Sequence, residues 1–201
     1  PGGYILPAGA ERHSTYRLDA EADTHTEAKE QACRNAARLV EPDDTIFIDC
    51  GTTTPRMTEY LPTSGNLTVI TYAMNVAERI MKRPNTNLVL LGGLFHASSQ
   101  SFSGDEALRT VERLGIGKAF LSAGGLHAQH GATCSNFHEV PIKQAVLARA
   151  GVRDRFAVGD GQSRRRQPYA DLRFLARVQL EATAELGDHR QASVFGALPD
   201  A

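Results

Sequence analysis

The chain has 201 residues, with 22 Lys and Arg against 23 Asp and Glu, 41% apolar and 22% charged residues. That is enough for one domain with a sizeable core, and the composition is that of a folded protein, not a disordered one. A net charge of -1 gives no general attraction to a polyanion, so these residues alone are not expected to form a DNA-binding surface.

No apolar run has the length of a membrane span, and no charged-then-apolar leader precedes PGGYILP. Cys33, Cys50 and Cys134 are odd in number and widely spaced, which suits reduced thiols in a cytoplasmic protein, each a small buried side chain. The missing initiator methionine leads us to expect a fragment.

The first strong pattern is AKEQACRNAARLV, residues 28–40, where Ala28, Ala32, Ala36 and Leu39 recur at helical spacing behind a THTE start signal. TIFID follows as a buried strand. Thr54 is then expected to cap a helix running to about Leu61, with Pro55 at its first position. The unit recurs: LTVIT reads as a strand, YAMNVAERIMK as a helix, NLVLLGG as a strand and SGDEALRTVERLG as a capped helix. KAFLSAGG, a loop, the helical HEVPIKQAVLARA and the strand RFAVGD complete the series. Strands alternating with helices in this way predict an α/β fold, a largely parallel sheet with helices on both faces. After Asp160 the periodicity weakens. One more strand is expected around Arg173 to Val178, and 179–201 reads as an atypical tail.

Ligands of parallel sheets bind outside the carboxyl ends of the strands, and there this sequence gathers its Gly, Thr, Ser and Asp residues. In DCGTTTP, Gly51 permits a tight turn, and the following peptide N–H groups and threonine hydroxyls are suited to surrounding an anion. The run lacks the lysine of a Walker A loop, so a nucleoside triphosphate is not implied. The plainer reading is that Thr54 caps a helix and Thr52 and Thr53 satisfy backbone groups. Tyr72 and Asn75 stand at the end of the second strand, and Gly92, Gly93 and a serine-rich loop containing Ser101 at the third. Gly124 and Gly125 stand at the fourth. Such a set suits a polyol. Glu139 and Lys143 lie four apart, the spacing of an ordinary surface ion pair on a helix.

Taken together, GGYI, EPDDTIFIDCGTTTP, GGLFHAS and AGGLHAQHGATCSNFHEVPIK resemble the C-terminal effector domain of DeoR-type transcriptional repressors, over a stretch from Gly2 to about Lys143. The resemblance implies a fold similar to ribose-5-phosphate isomerase and CoA-transferases, and a phosphorylated sugar as inducer. Deoxyribose 5-phosphate is the expected one, controlling deoxynucleoside catabolism genes. It further implies that 1–22 is the end of a connection from a winged-helix DNA-binding domain, with the effector domain over 23–178. Operator DNA would be met through that preceding domain, and the protein would be a homo-oligomer. Carried over by position, Asp49, Gly51, Thr52, Thr53 and Thr54 match the family's D-x-G-T-T loop, Asn75 its asparagine, Gly92 and Gly93 its glycine pair and Lys143 its helix lysine. Where such repressors have D-x-S-K-F-G, this chain has DGQSRRRQ, with Ser163 and Arg164 in roughly that place.

The resemblance implies no enzyme and no cofactor. The alternative is a phosphosugar isomerase acting on a pentose phosphate, which would need a carboxylate beside the carbonyl, with Asp49, Asp105, Glu106 and Glu139 available. Lys143 also raises a Schiff-base reading, against the simpler one of a charged lysine paired with Glu139 or phosphate. His127, His130, Cys134 and His138 match no closed zinc pattern, so no metal is expected.

Overall fold

The computed structural model describes Leu18 and residues 26–123, 125–127, 131–134, 136–150, 155–158 and 170–171. The expected strand at 173–178, the tail and the DGQSRRRQ segment lie outside them.

Helix α1 (Thr26–Ala37) buries Ala32, Cys33, Ala36 and Ala37, the stripe its spacing predicts. Strand β1 (Thr45–Ile48) is built from β-branched and aromatic residues, and its last three are fully buried, as a central strand covered on both faces requires. A 3-10 helix (Thr54–Tyr60), β2 (Leu67–Thr71), α2 (Met74–Ile80) and β3 (Thr86–Leu90) follow. Then come β4 (Leu94–His96), β5 (Ser101–Ser103), α3 (Asp105–Arg113) and β6 (Lys118–Ser122). The chain continues through β7 (Gly125–His127), β8 (Gly131–Cys134), a 3-10 turn (Phe137–Glu139), α4 (Val140–Arg149), β9 (Arg155–Val158) and β10 (Ala170–Asp171).

The main sheet has five strands, all parallel, in the order β3-β2-β1-β6-β9. The 3-10 helix packs against α1 and α2, and α3 packs against α4. The expected α/β architecture is therefore the observed one. Ile46, Phe47, Ile48, Val69, Ile70, Ala119 and Phe120 form the middle of the core. Among the described residues no helix is long and apolar enough to cross a membrane. Cys33, Cys50 and Cys134 are buried free thiols.

Four local expectations are corrected. The segment after the threonines is a 3-10 helix, not an α-helix, and Thr53, not Thr54, stands at its N-cap without a side-chain cap bond. The reason is that the buried Thr54 hydroxyl turns back toward the carbonyls of Asp49 (2.8 Å) and Cys50 (3.1 Å). The helix at Asp105 likewise starts from Gly104 with no side-chain cap. The serine-rich loop is an antiparallel hairpin, β4 with β5, and Gly93, at φ +139, allows its close approach: a Cβ there would stand 2.3 Å from the Ser103 carbonyl oxygen. The loop after β6 is also stranded, β7 pairing with β8 and β8 with β10 in a separate antiparallel sheet.

Candidate functional site

The chain leaves β1 for β2 on one side of the sheet, while β6 lies on the other. That reversal is a topological switch point, where the connections from neighbouring strands diverge and open a crevice at the carboxyl ends. Asp49 follows β1 directly, Ser122 ends β6 and Tyr72 follows β2, so the parallel register places all three at this end.

Asp49 is fully buried, and both of its carboxylate oxygens are occupied. Oδ1 accepts from the Tyr72 hydroxyl at 2.6 Å and from the Cys50 N–H at 2.9 Å. Oδ2 accepts from the Ser122 N–H at 2.7 Å, lies 2.9 Å from the Ser122 hydroxyl, and takes a charge-assisted bond from Lys143 Nζ at 2.5 Å. Lys143, 2% exposed, also donates to the Ser122 carbonyl at 3.1 Å and faces Glu139 Oε2 at 3.4 Å. Glu139 is held in turn by Asn136 Nδ2 at 2.6 Å. One carboxylate thus joins the ends of three strands to helix α4.

Burial alone would lower the Lys143 pKa, but Asp49 and then the other acidic groups around it outweigh that and hold it well above the ordinary lysine value. Burial, reinforced by Asp49, likewise pushes the Tyr72 phenol up, so it remains a donor. The Cys50 thiol, 3.1 Å from the Tyr72 hydroxyl, is raised by burial and then by Glu139 and Asp49. Burial raises Cys33, whose thiol donates to the Thr53 carbonyl, to about 12. None of these groups is poised as a nucleophile.

The loop beyond Asp49 differs. Gly51 has φ +122, a conformation other residues avoid, and a Cβ there would stand 3.3 Å from Ser122 Oγ. Among the described residues the N–H groups of Gly51, Thr52 and Thr53 and the hydroxyls of Thr52 and Thr53 have no hydrogen-bond partner. Asn75 closes the rim: its Nδ2 donates to the Gly51 carbonyl at 3.1 Å, and its Oδ1 is buried without a partner.

The sequence-predicted residues therefore fall into groups. Asp49, Gly51, Thr52, Thr53, Thr54, Tyr72, Asn75, Glu139 and Lys143 come together at the switch point, the last two far more buried than a surface pair. Ser101 is buried in the hairpin, its hydroxyl 2.8 Å from that of Ser99. Gly93 serves the hairpin, Gly92 faces open space, and Gly124 lies outside the described residues. Of the imagined zinc set, the side chains of His127 and His130 also lie outside. Sequence reasoning missed Ser122, and it missed His96, which stacks on His138 at 3.6 Å between ring centroids. Only the position of Ser122 at a strand end beside two glycines signalled it.

Residues 24–167 match the family model described as the DeoR C-terminal sensor domain. The chain is 38% identical over 151 residues to the deoxyribose operon repressor of Escherichia coli, covering 74% of this chain and 59% of that protein. It is 28% identical to the glycerol-3-phosphate regulon repressor of the same organism, over 73% of this chain and 57% of the other. It thus spans little more than half the length of these relatives. Among solved structures, ribose 5-phosphate isomerase A from Neisseria gonorrhoeae superposes with a TM-score of 0.48 at 14% identity, over 67% of this chain and 51% of that one.

Proposed function

The chain belongs to the DeoR C-terminal sensor domain family, and we propose that it is the ligand-sensing domain of a transcriptional repressor, with a small phosphorylated sugar as inducer. The observation that carries this reading is the loop after Asp49: among the described residues it has three consecutive unused N–H groups and two unused hydroxyls at the switch point, beside an asparagine with an unpartnered oxygen. Successive N–H groups in such a turn form a concave anion site. The phosphate would take the N–H groups and hydroxyls of Gly51, Thr52 and Thr53, while Asn75 reads a sugar hydroxyl.

Asp49 and Lys143 act one layer further in. Lys143 is paired with Asp49 and also faces Glu139, so its charge is already engaged: the group braces the loop and leaves the phosphate to neutral donors. Thr54 and Tyr72 belong to the same brace. Deoxyribose 5-phosphate is the inducer we propose, because the more similar of the two relatives is named for the deoxyribose operon. In the whole protein, operator DNA would be contacted by an N-terminal domain, and the protein would act as a homo-oligomer.

Isothermal titration with deoxyribose 5-phosphate, ribose 5-phosphate and unphosphorylated deoxyribose tests the reading. We expect binding of the phosphorylated pentose, loss of about tenfold or more in affinity with Thr53→Ala, and none with the free sugar. Equal binding of free and phosphorylated deoxyribose would remove the phosphate from the site. A raised lysine pKa also leaves no free amine at neutral pH, so borohydride added with the ligand should leave the intact mass unchanged. Turnover of ribose 5-phosphate by the purified chain would favour the isomerase reading instead.

A further inference from the structure

The β4–β5 hairpin is attached to the candidate site by two separate routes. On the backbone route, the Tyr72 carbonyl accepts from the Phe102 N–H at 2.8 Å, the Met74 N–H donates to the Gln100 carbonyl at 2.8 Å, and Ala73 forms a bridge with Ser101. These residues adjoin Tyr72, whose hydroxyl rests on Asp49, and Asn75, at the rim of the loop. On the side-chain route, His138 stacks face to face on His96 of β4 and lies 3.2 Å from Ser99 Oγ through Nε2. Glu139, the next residue, faces Lys143.

The same turn also meets Leu18. The N–H of Leu18, itself buried, donates to the Ser98 carbonyl at 3.1 Å. Ser98 thus meets Leu18 through its carbonyl, and the adjacent Ser99 meets His138 through its hydroxyl. Gln100, in the same turn, has φ +49, the left-handed conformation found in tight turns.

We propose that the β4–β5 hairpin is the docking surface for this chain's own N-terminal segment around Leu18, and that it carries the state of the sugar-phosphate loop to that segment. The proposal rests on the sensor reading given above. The hairpin is suited to the task because it is short, lies outside the main sheet and has few buried apolar residues, Leu94 and Phe95 being exposed. Such a unit opens at lower free energy than the sheet beneath it. A shift in Tyr72 or Glu139 on ligand binding alters one of its two anchors, and the Ser98 carbonyl moves with the turn. Coupling of this kind requires that the ligand prefer one arrangement of the hairpin over another.

Hydrogen–deuterium exchange on the 201-residue chain, read by peptide mass spectrometry, tests this in two arms. Without ligand, His138→Ala and, independently, Ser99→Ala should speed exchange at 96–103 and at the Leu18 amide by about threefold or more, leaving β1 and β2 as in the parent. Met81→Ala, at an exposed residue away from the hairpin, should change neither. Faster exchange in the hairpin with none at Leu18 overturns the docking. With saturating deoxyribose 5-phosphate, exchange at Leu18 should change by about twofold or more in the parent chain and stay unchanged in Ser99→Ala, whose binding isotherm remains within about threefold of the parent. An equal response at Leu18 in both overturns the relay and leaves the sensor reading intact. Failure of every sugar to bind, with no protection at 51–54, overturns the sensor reading and the relay together, while the ligand-free arm still decides the docking.

Discussion

Strand β1 carries an acidic residue just beyond each end, one paired with a lysine of the neighbouring strand β6 and the other with a lysine of helix α4. At the amino end, Asp44 meets Lys118 of β6 at 2.6 Å, with side chains 17% and 18% exposed. At the carboxyl end, Asp49 meets Lys143 at 2.5 Å, with side chains 0% and 2% exposed. The first pair is wetted, and a pair of that sort contributes about 0–1 kcal/mol. The second has lost its water, so it survives only because N–H and O–H groups fill the remaining valences of the carboxylate. The same chemical pair is a fastening at one end of a strand and the frame of the proposed binding loop at the other, and desolvation makes the difference.

The largest expected effect breaks that contrast at the carboxyl end. Asp49→Ala leaves Lys143 and the Tyr72 hydroxyl buried without their acceptor, and should cost about 3–5 kcal/mol in chemical unfolding together with all sugar-phosphate binding. A loss below about 1 kcal/mol would show that the carboxyl end is as wet as the other. Next, Gly51→Ala forces a side chain into a left-handed conformation against Ser122, and should cost about 1–3 kcal/mol and weaken binding more than stability.

The pH dependence sharpens the contrast further. Lys143 has a raised pKa in the folded chain, so its stabilisation is complete below the ordinary lysine value of 10.5 and is lost only as pH climbs through the raised one. His138 runs the other way: burial first, and then His96, lower its pKa. Its stabilisation is therefore complete above 6.5 and falls away as pH drops through the lowered value. Unfolding curves should show an acid component that disappears in His138→Ala. The smallest effect belongs to Lys118→Ala, below about 1 kcal/mol, with the titration isotherm unchanged.

Much of this contrast was visible in the letters. Strong alternation of TIFI, LTVI and KAFL with helical stretches determines the parallel sheet, and the sheet determines where ligands go. Gly51 and the threonines were legible because turn chemistry is local. What stayed hidden depends on contacts distant in sequence. Ser122 meets Asp49 only through the β1–β6 register, and the spacing of Glu139 and Lys143 is identical for a surface pair and a buried one. The two hairpins were hidden for another reason: their strands have three or four residues, too short for alternation to register, and their polar residues read as loop.

The chain contains no tryptophan and five tyrosines, so its near-ultraviolet spectrum belongs largely to phenols. Tyr72 is fully buried, stacked on Phe47 with ring centroids 6.0 Å apart, and hydrogen-bonded to the carboxylate at the heart of the network. A rigid aromatic ring in an asymmetric dry setting gives strong near-ultraviolet circular dichroism, and its band position depends on the charge beside its hydroxyl. The protein therefore carries an intrinsic optical probe at the switch point, placed to report on the proposed binding loop without any attached label.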